Sequence, residues 1–308
     1  MLQLLSLILP LFALILMGWL TVRLKLLDEA GASGLSGFAY SAALPALLFS
    51  SIVQLRTLPT LTASVAYLSC CIVLFGLTMA FGRLFLGPSL ARTTVLGLNA
   101  TYGNVIFLGT PIVSAVFGPK GVSLALAIIG FHSGVLLPMA ALLIELDTGR
   151  QGGIRAVARR IGLNLLRNPI ILSICAGLAW HGLGIPVPPP LHRLLSLLAQ
   201  SAAPLALFSL GCSLPPLNRD KQVIEEAVFA TALKLVVLPL LVGVVYWQLG
   251  LSGMPVEVGV LIAAMPTGAN AFLLARRTTA FAEAAASTVV LATAVSVFSI
   301  AAILTWVA

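Results

Sequence analysis

Apolar stretches close to twenty residues long follow one another through this chain, with short polar connections between them. A helix of that length crosses the roughly 30 Å hydrocarbon layer of a bilayer. The predicted spans are 5–22, 35–54, 60–82, 94–116, 121–145, 169–185, 195–214, 227–249, 256–275 and 284–307, ten in all. Sixty per cent of the 308 residues are hydrophobic and 8% are charged, which excludes an ordinary soluble core. The expected fold class is an all-α polytopic membrane protein with no room for a soluble domain. The opening MLQLLSLILP lacks a basic n-region and reads as the first span, not as a signal peptide.

The chain is also one unit written twice. Leu35–Leu47 reads LSGFAYSAALPAL, and Leu195–Leu207 reads LSLLAQSAAPLAL. Pro10 and Gly18 in span 1 match Pro169 and Gly177 in span 6. An offset near 160 residues covers five spans. Five is odd, so the second copy enters the membrane upside down. The predicted organisation is a 5+5 inverted repeat: 1–150, an inner connecting segment 151–168, and 169–308. Within that segment Ile154, Val157, Ala158, Ile161 and Leu165 fall at helical spacing beside Arg155, Arg159 and Arg160. The pattern suits a short helix on the inner leaflet, or equally a solvated basic loop.

A net charge of +8 raises nucleic acid as a partner, and its distribution argues against it. With both termini outside, the inner loops hold thirteen Lys and Arg residues. The outer loops hold three, Arg56, Lys120 and Arg193. That bias obeys the positive-inside rule, with the basic surface meeting the lipid bilayer. Cys70, Cys71, Cys175 and Cys212 fall within apolar spans, read as small buried side chains with no metal-ligand spacing. No metal site, cofactor or catalytic residue is expected.

The polar chemistry concentrates in spans 4 and 9. Span 4 places Gly103, Asn104, Gly109, Thr110 and Pro111 at mid-membrane, and span 9 places Pro266, Thr267, Gly268 and Asn270 at the same depth. Proline removes an N–H and glycine favours unwinding, so both spans are candidate broken helices. Pro111 and Pro266 suit the first position of a new half-helix. Two half-helix N-termini converging at the midplane would make an anion site, with Asn104, Thr110, Thr267 and Asn270 adding hydrogen bonds. Kinks in packed helices are the bland alternative for each span alone. Lys234 lies two turns into span 8, positioned either to snorkel to the inner interface or to attract an anion. His132 lies near the middle of span 5 as a packing residue or a proton carrier. Glu145 and Asp147 fall at the inner end of span 5, where interface solvation accounts for them. No carboxylate lies deep in a span, which disfavours coupling through a buried aspartate pair.

The opening LPLFALILMGWLTVRLKLLDEAGASGLSGFAYSAALPALLFSSI resembles the first two spans of the auxin efflux carrier family. That family includes bacterial malonate-transporter-like permeases and the plant PIN exporters. GNVIFLGTPIV, APLALFSLGCSL and AAMPTGANAFLLARR resemble its later landmarks, and the likeness covers essentially the full chain. It implies the fold of the bile acid/sodium symporters. Spans 1, 2, 6 and 7 would form a scaffold and homodimer interface, and spans 3–5 and 8–10 a moving transport domain. Asn104, Pro111 and Pro266 match the family's crossover pattern; Asn270 and His132 rest on their positions alone.

Together these readings give a secondary transporter in the cell membrane, the inner membrane in a bacterium. It would export a small organic anion, a carboxylate or auxin-like acid, by elevator-type alternating access. The alternatives are a proton- or sodium-coupled uptake permease, or a channel. A channel needs a continuous polar path, which the apolar spans 3, 5 and 10 do not supply. An enzyme needs a nucleophile and base in reach of each other, and Ser133 beside His132 diverges from it on a helix.

Overall fold

The computed structural model describes residues 2–54, 61–85, 87, 89–148, 162–163, 167–218, 220–275 and 282–307. The described chain is helical: α1 (Leu2–Arg23), α2 (Glu29–Phe38), α3 (Leu44–Val53), α4 (Thr62–Phe85), α5 (Leu90–Thr101), α6 (Thr110–Thr148), α7 (Pro169–Leu183), α8 (Pro189–Cys212), α9 (Lys221–Ala232), α10 (Leu238–Gln248), α11 (Met254–Ala263), α12 (Ala269–Ala275) and α13 (Ala282–Val307). Among the described residues, six segments are long and apolar enough to cross a membrane: Glu29–Val53, Thr62–Phe85, Val105–Asp147, Pro189–Cys212, Lys221–Gln248 and Ala282–Trp306. Shorter apolar helices cover Leu9–Arg23, Pro169–Leu183 and Met254–Ala263. The interfacial helix expected between 151 and 168 lies largely outside the described residues.

Proline explains the local irregularities. Three π-helical turns, Ala39–Ala43, Val105–Gly109 and Leu233–Val237, each run directly into a residue–proline pair: Leu44-Pro45, Thr110-Pro111 and Leu238-Pro239. A proline ring collides with the carbonyl one turn back and donates nothing to it. Widening the preceding turn by one residue relieves the collision without ending the helix. Within α6 the backbone leaves helical geometry at Gly118, with φ 62° and ψ −158°. That left-handed φ is one glycine adopts without steric cost.

The chain divides into two compact units. The first comprises 1–60, 106–127 and 163–213. In it α1 packs on α8 where two glycines meet backbone. A Cβ on Gly18 would overlap the carbonyl of Phe208, and one on Gly211 would overlap that of Ile15. Only a residue without a side chain lets two helices approach so closely. The repeated phrases also meet here, because the turn Ala39–Ala43 packs on α8. Ala39, Ala43, Ala202 and Ala206, alanines shared by the two phrases, are all fully buried.

The second unit comprises 61–105, 128–162 and 214–308. Tyr246 in α10 ties it together, donating to the Ala63 carbonyl of α4 at 2.6 Å. The Tyr246 ring fills the space where a Cβ on Gly259 would lie. At one end of the unit Arg92 of α5 pairs with Glu226 of α9. Asp147 accepts from the Ala91 N–H at 2.9 Å and from the Ser89 hydroxyl at 3.1 Å. Asp147 thus meets the unpaired donors that begin α5. Cys70 and Cys71 are buried as expected, whereas Cys175 is exposed on α7.

Candidate functional site

The second unit contains two interruptions that meet. Helix α5 stops at Thr101 and α11 stops at Ala263, each where the chain enters a Gly-containing or Pro-containing stretch. The exposed backbone groups of one interruption bond to those of the other. The Asn104 N–H donates to the Pro266 carbonyl at 2.6 Å, and the Gly268 N–H donates to the Tyr102 carbonyl at 3.0 Å. Gly103 and Thr267 form an antiparallel bridge between them. The Thr267 hydroxyl adds a bond to the Asn99 carbonyl at 2.8 Å. Broken helices inside a membrane leave unpaired backbone groups, and this exchange satisfies several of them. Space is tight on both sides. A Cβ on Gly268 would lie 3.0 Å from the Tyr102 ring, and one on Gly103 would lie 3.2 Å from Lys234 Nζ.

Each interrupted helix ends on a nitrogen-bearing side chain. Lys234, fully buried in the π-helical turn Leu233–Val237, donates to the Ala263 carbonyl at the end of α11. His132 Nε2 lies 3.4 Å from both the Thr101 carbonyl, which ends α5, and the Gly103 N–H. The carboxyl end of a helix carries about half a negative charge, so a donor or cation is favoured at both places. Tyr102 links the cluster. Its ring stacks on the His132 imidazole at 4.7 Å, and its hydroxyl lies 3.3 Å from Ser133 Oγ and accepts from Asn270 Nδ2 at 3.4 Å. Tyr67 also meets His132, edge-on at 5.8 Å. Two buried polar atoms here, His132 Nδ1 and Asn99 Oδ1, have no hydrogen-bond partner. Buried polar atoms without partners are uncommon, and they gather where a ligand or water is handled.

The structure therefore brings together Asn104, Pro266, Thr267, Asn270, His132 and Lys234. Thr110 and Pro111 belong to the first unit, where Thr110 is buried and Pro111 lines a cavity of about 400 Å³ with Ser50, Gln54, Ser114, His192 and Gln200. Three expectations are corrected. Pro266 lies inside the interruption and not at the start of a half-helix, since α12 begins at Ala269. Pro111 follows a π-helical turn, and the actual interruption lies upstream at Tyr102–Asn104. Lys234 does not snorkel, because it is fully buried against a helix end. The N–H groups expected to hold an anion are also partly committed, with those of Asn104 and Gly268 given to the opposite interruption. Tyr102 and Asn99 join the Gly103 and Asn104 expected here; the sequence signal for them is the asparagine and the aromatic inside the NATYGN run, just before Gly103.

Comparison with known proteins supplies the rest. Residues 4–304 match the membrane transport protein family. The chain is 31% identical over 99% of its length to the "Putative malonate transporter" of Rhizobium meliloti (strain 1021), covering 96% of that protein. It is 25% identical over 95% of its length to an "Uncharacterized transporter" of Methanothermobacter thermautotrophicus, again covering 95% of the relative. It is 28% identical to Auxin efflux carrier component 1 of Arabidopsis thaliana over 40% of this chain and 20% of that one. With nearly the whole chain matched, this protein belongs to the auxin efflux carrier family of membrane transport proteins.

Proposed function

We propose that this protein is a secondary transporter that exports a small organic anion, a dicarboxylate of the malonate class, across the cell membrane, with the crossover in the second unit as its site. The carrying observation is Lys234: a lysine buried at the crossover, next to orphaned polar atoms on His132 and Asn99. Burying a cation without a carboxylate partner is costly, and a bound anion offsets that cost. Asn104, Thr267 and Asn270 contribute hydrogen bonds beside it. The malonate-transporter relative supports the substrate class, because it matches this chain from end to end.

Ten crossings in two inverted halves remain the preferred topology. At 1.5 Å per residue the 43 residues of Val105–Asp147 would extend about twice the hydrocarbon thickness, and the turn at Gly118 suits a reversal between two crossings. In this reading the first unit is the stationary scaffold and homodimer surface, and the second unit carries the site from one side to the other. Both termini face outward, in the inner membrane of a bacterium.

The test is counterflow. Proteoliposomes preloaded with unlabelled malonate should accumulate labelled malonate transiently and saturably. Linear, non-saturable leakage points to a channel, and chemical conversion of the label to an enzyme. Absence of any malonate movement removes the substrate assignment.

A further inference from the structure

We infer that Lys234 travels with the site as a fixed positive charge, so that the loaded unit carries one negative charge fewer than its substrate. The inference rests on the transport reading above and concerns which step of the cycle feels the membrane potential.

Three observations place the charge. Lys234 is fully buried and donates to the Ala263 carbonyl. Its Nζ lies against the backbone at Gly103, so it belongs to the crossover itself. Among the described residues no carboxylate pairs with it. In the same unit Glu226 is held by Arg92, Asp147 by the start of α5, and Glu283 by the Asn218 side chain at 2.6 Å. The end of α11 supplies the partial negative charge that keeps an ammonium there. Lys234, Gly103 and Ala263 all lie in the second unit, so the charge moves whenever the crossover moves.

The charge count then follows. Malonate is a dianion at mildly alkaline pH. Bound beside the Lys234 ammonium, it gives a loaded site of net charge minus one, which an inside-negative potential pushes outward. Without the lysine charge, the loaded step would carry two negative charges.

Exchange isolates the loaded step. With malonate saturating on both faces, the unit crosses loaded in each direction, and a potential speeds one crossing while slowing the other. A roughly 50-fold potassium gradient clamped by valinomycin biases one charge about 50-fold. For a barrier midway through the field, exchange then slows about four-fold for one net charge and about 25-fold for two.

The experiment is labelled-malonate exchange in proteoliposomes with and without that potential. The wild type should slow about four-fold, and Lys234→Met about 25-fold. The wild-type value decides the matter even when the variant does not fold. Slowing of about 25-fold in the wild type, or no response to voltage, overturns the inference. A wild type that exchanges no malonate at all refutes instead the transport reading on which it rests.

Discussion

Tyr102 sits where three requirements meet. Its carbonyl accepts from Gly268, its ring covers His132, and its hydroxyl takes the Asn270 amide. Tyr102→Phe keeps the first two and removes the third. A net loss of about 1 kcal/mol in stability is expected, read by thermal unfolding in detergent. Asn104→Ala and Asn270→Ala should weaken malonate binding by on the order of 0.5–1.5 kcal/mol, more where the anion itself is the partner. That corresponds to roughly two- to ten-fold or more in Kd, measured by titration of folded, monodisperse protein. Unchanged affinity in both variants would move the site away from the crossover. Lys234 shows what the sequence could not reveal at this scale. A lysine two turns inside an apolar span reads as a snorkelling residue or as an anion-attracting cation alike, and what decides between them includes its bond to the Ala263 carbonyl 29 residues later in the chain. Contact between such distant positions leaves no local pattern.

At the scale of elements, two kinds of small residue do different work. Gly18 and Gly211 let α1 and α8 touch backbone to backbone. Gly211→Val forces the helices apart and should cost about 3 kcal/mol or prevent folding, seen as a lowered unfolding temperature or loss of monodisperse protein. Gly34→Ala, in the interior of α2 where a Cβ meets open space, is the matched control and should keep stability or raise it by about 0.5–1 kcal/mol. Glu226→Gln tests the other tie of the second unit. Arg92 and Glu226 have side chains only 21% and 12% exposed, so losing one charge should destabilise by on the order of 2 kcal/mol. Helices and the duplicated phrase were legible because both depend on composition and short spacing. The breaks were legible only in kind. A proline announces a lost donor, but whether the helix ends or widens depends on what can receive the freed groups. At Pro111 and Pro239 a π-helical turn absorbs the change, whereas at Pro266 the opposite interruption at Tyr102–Asn104 captures the backbone.

For the whole molecule, charge is the organising quantity. Under the proposed ten-crossing topology, the thirteen-to-three excess of basic residues in alternate loops would place both termini outside. A reporter fused after Ala308 should be active only when it works outside the cytoplasm; the reverse result would invert the topology. The same charge logic extends to energetics. In the proposed reading the crossover offers cationic and dipolar groups to an anion, and the membrane potential supplies the driving force, with no part for sodium. An inside-negative potential of about 100 mV favours outward movement of each negative charge by about 2.3 kcal/mol, roughly 50-fold in gradient. The most direct test is net malonate efflux from proteoliposomes under an imposed potassium-diffusion potential, without sodium and with equal pH on both sides. The account predicts efflux that accelerates as the inside becomes negative and is unchanged by adding sodium. Efflux that ignores the potential yet requires a sodium or pH gradient would contradict it, and a pH requirement abolished by His132→Gln would transfer the coupling to a proton on His132.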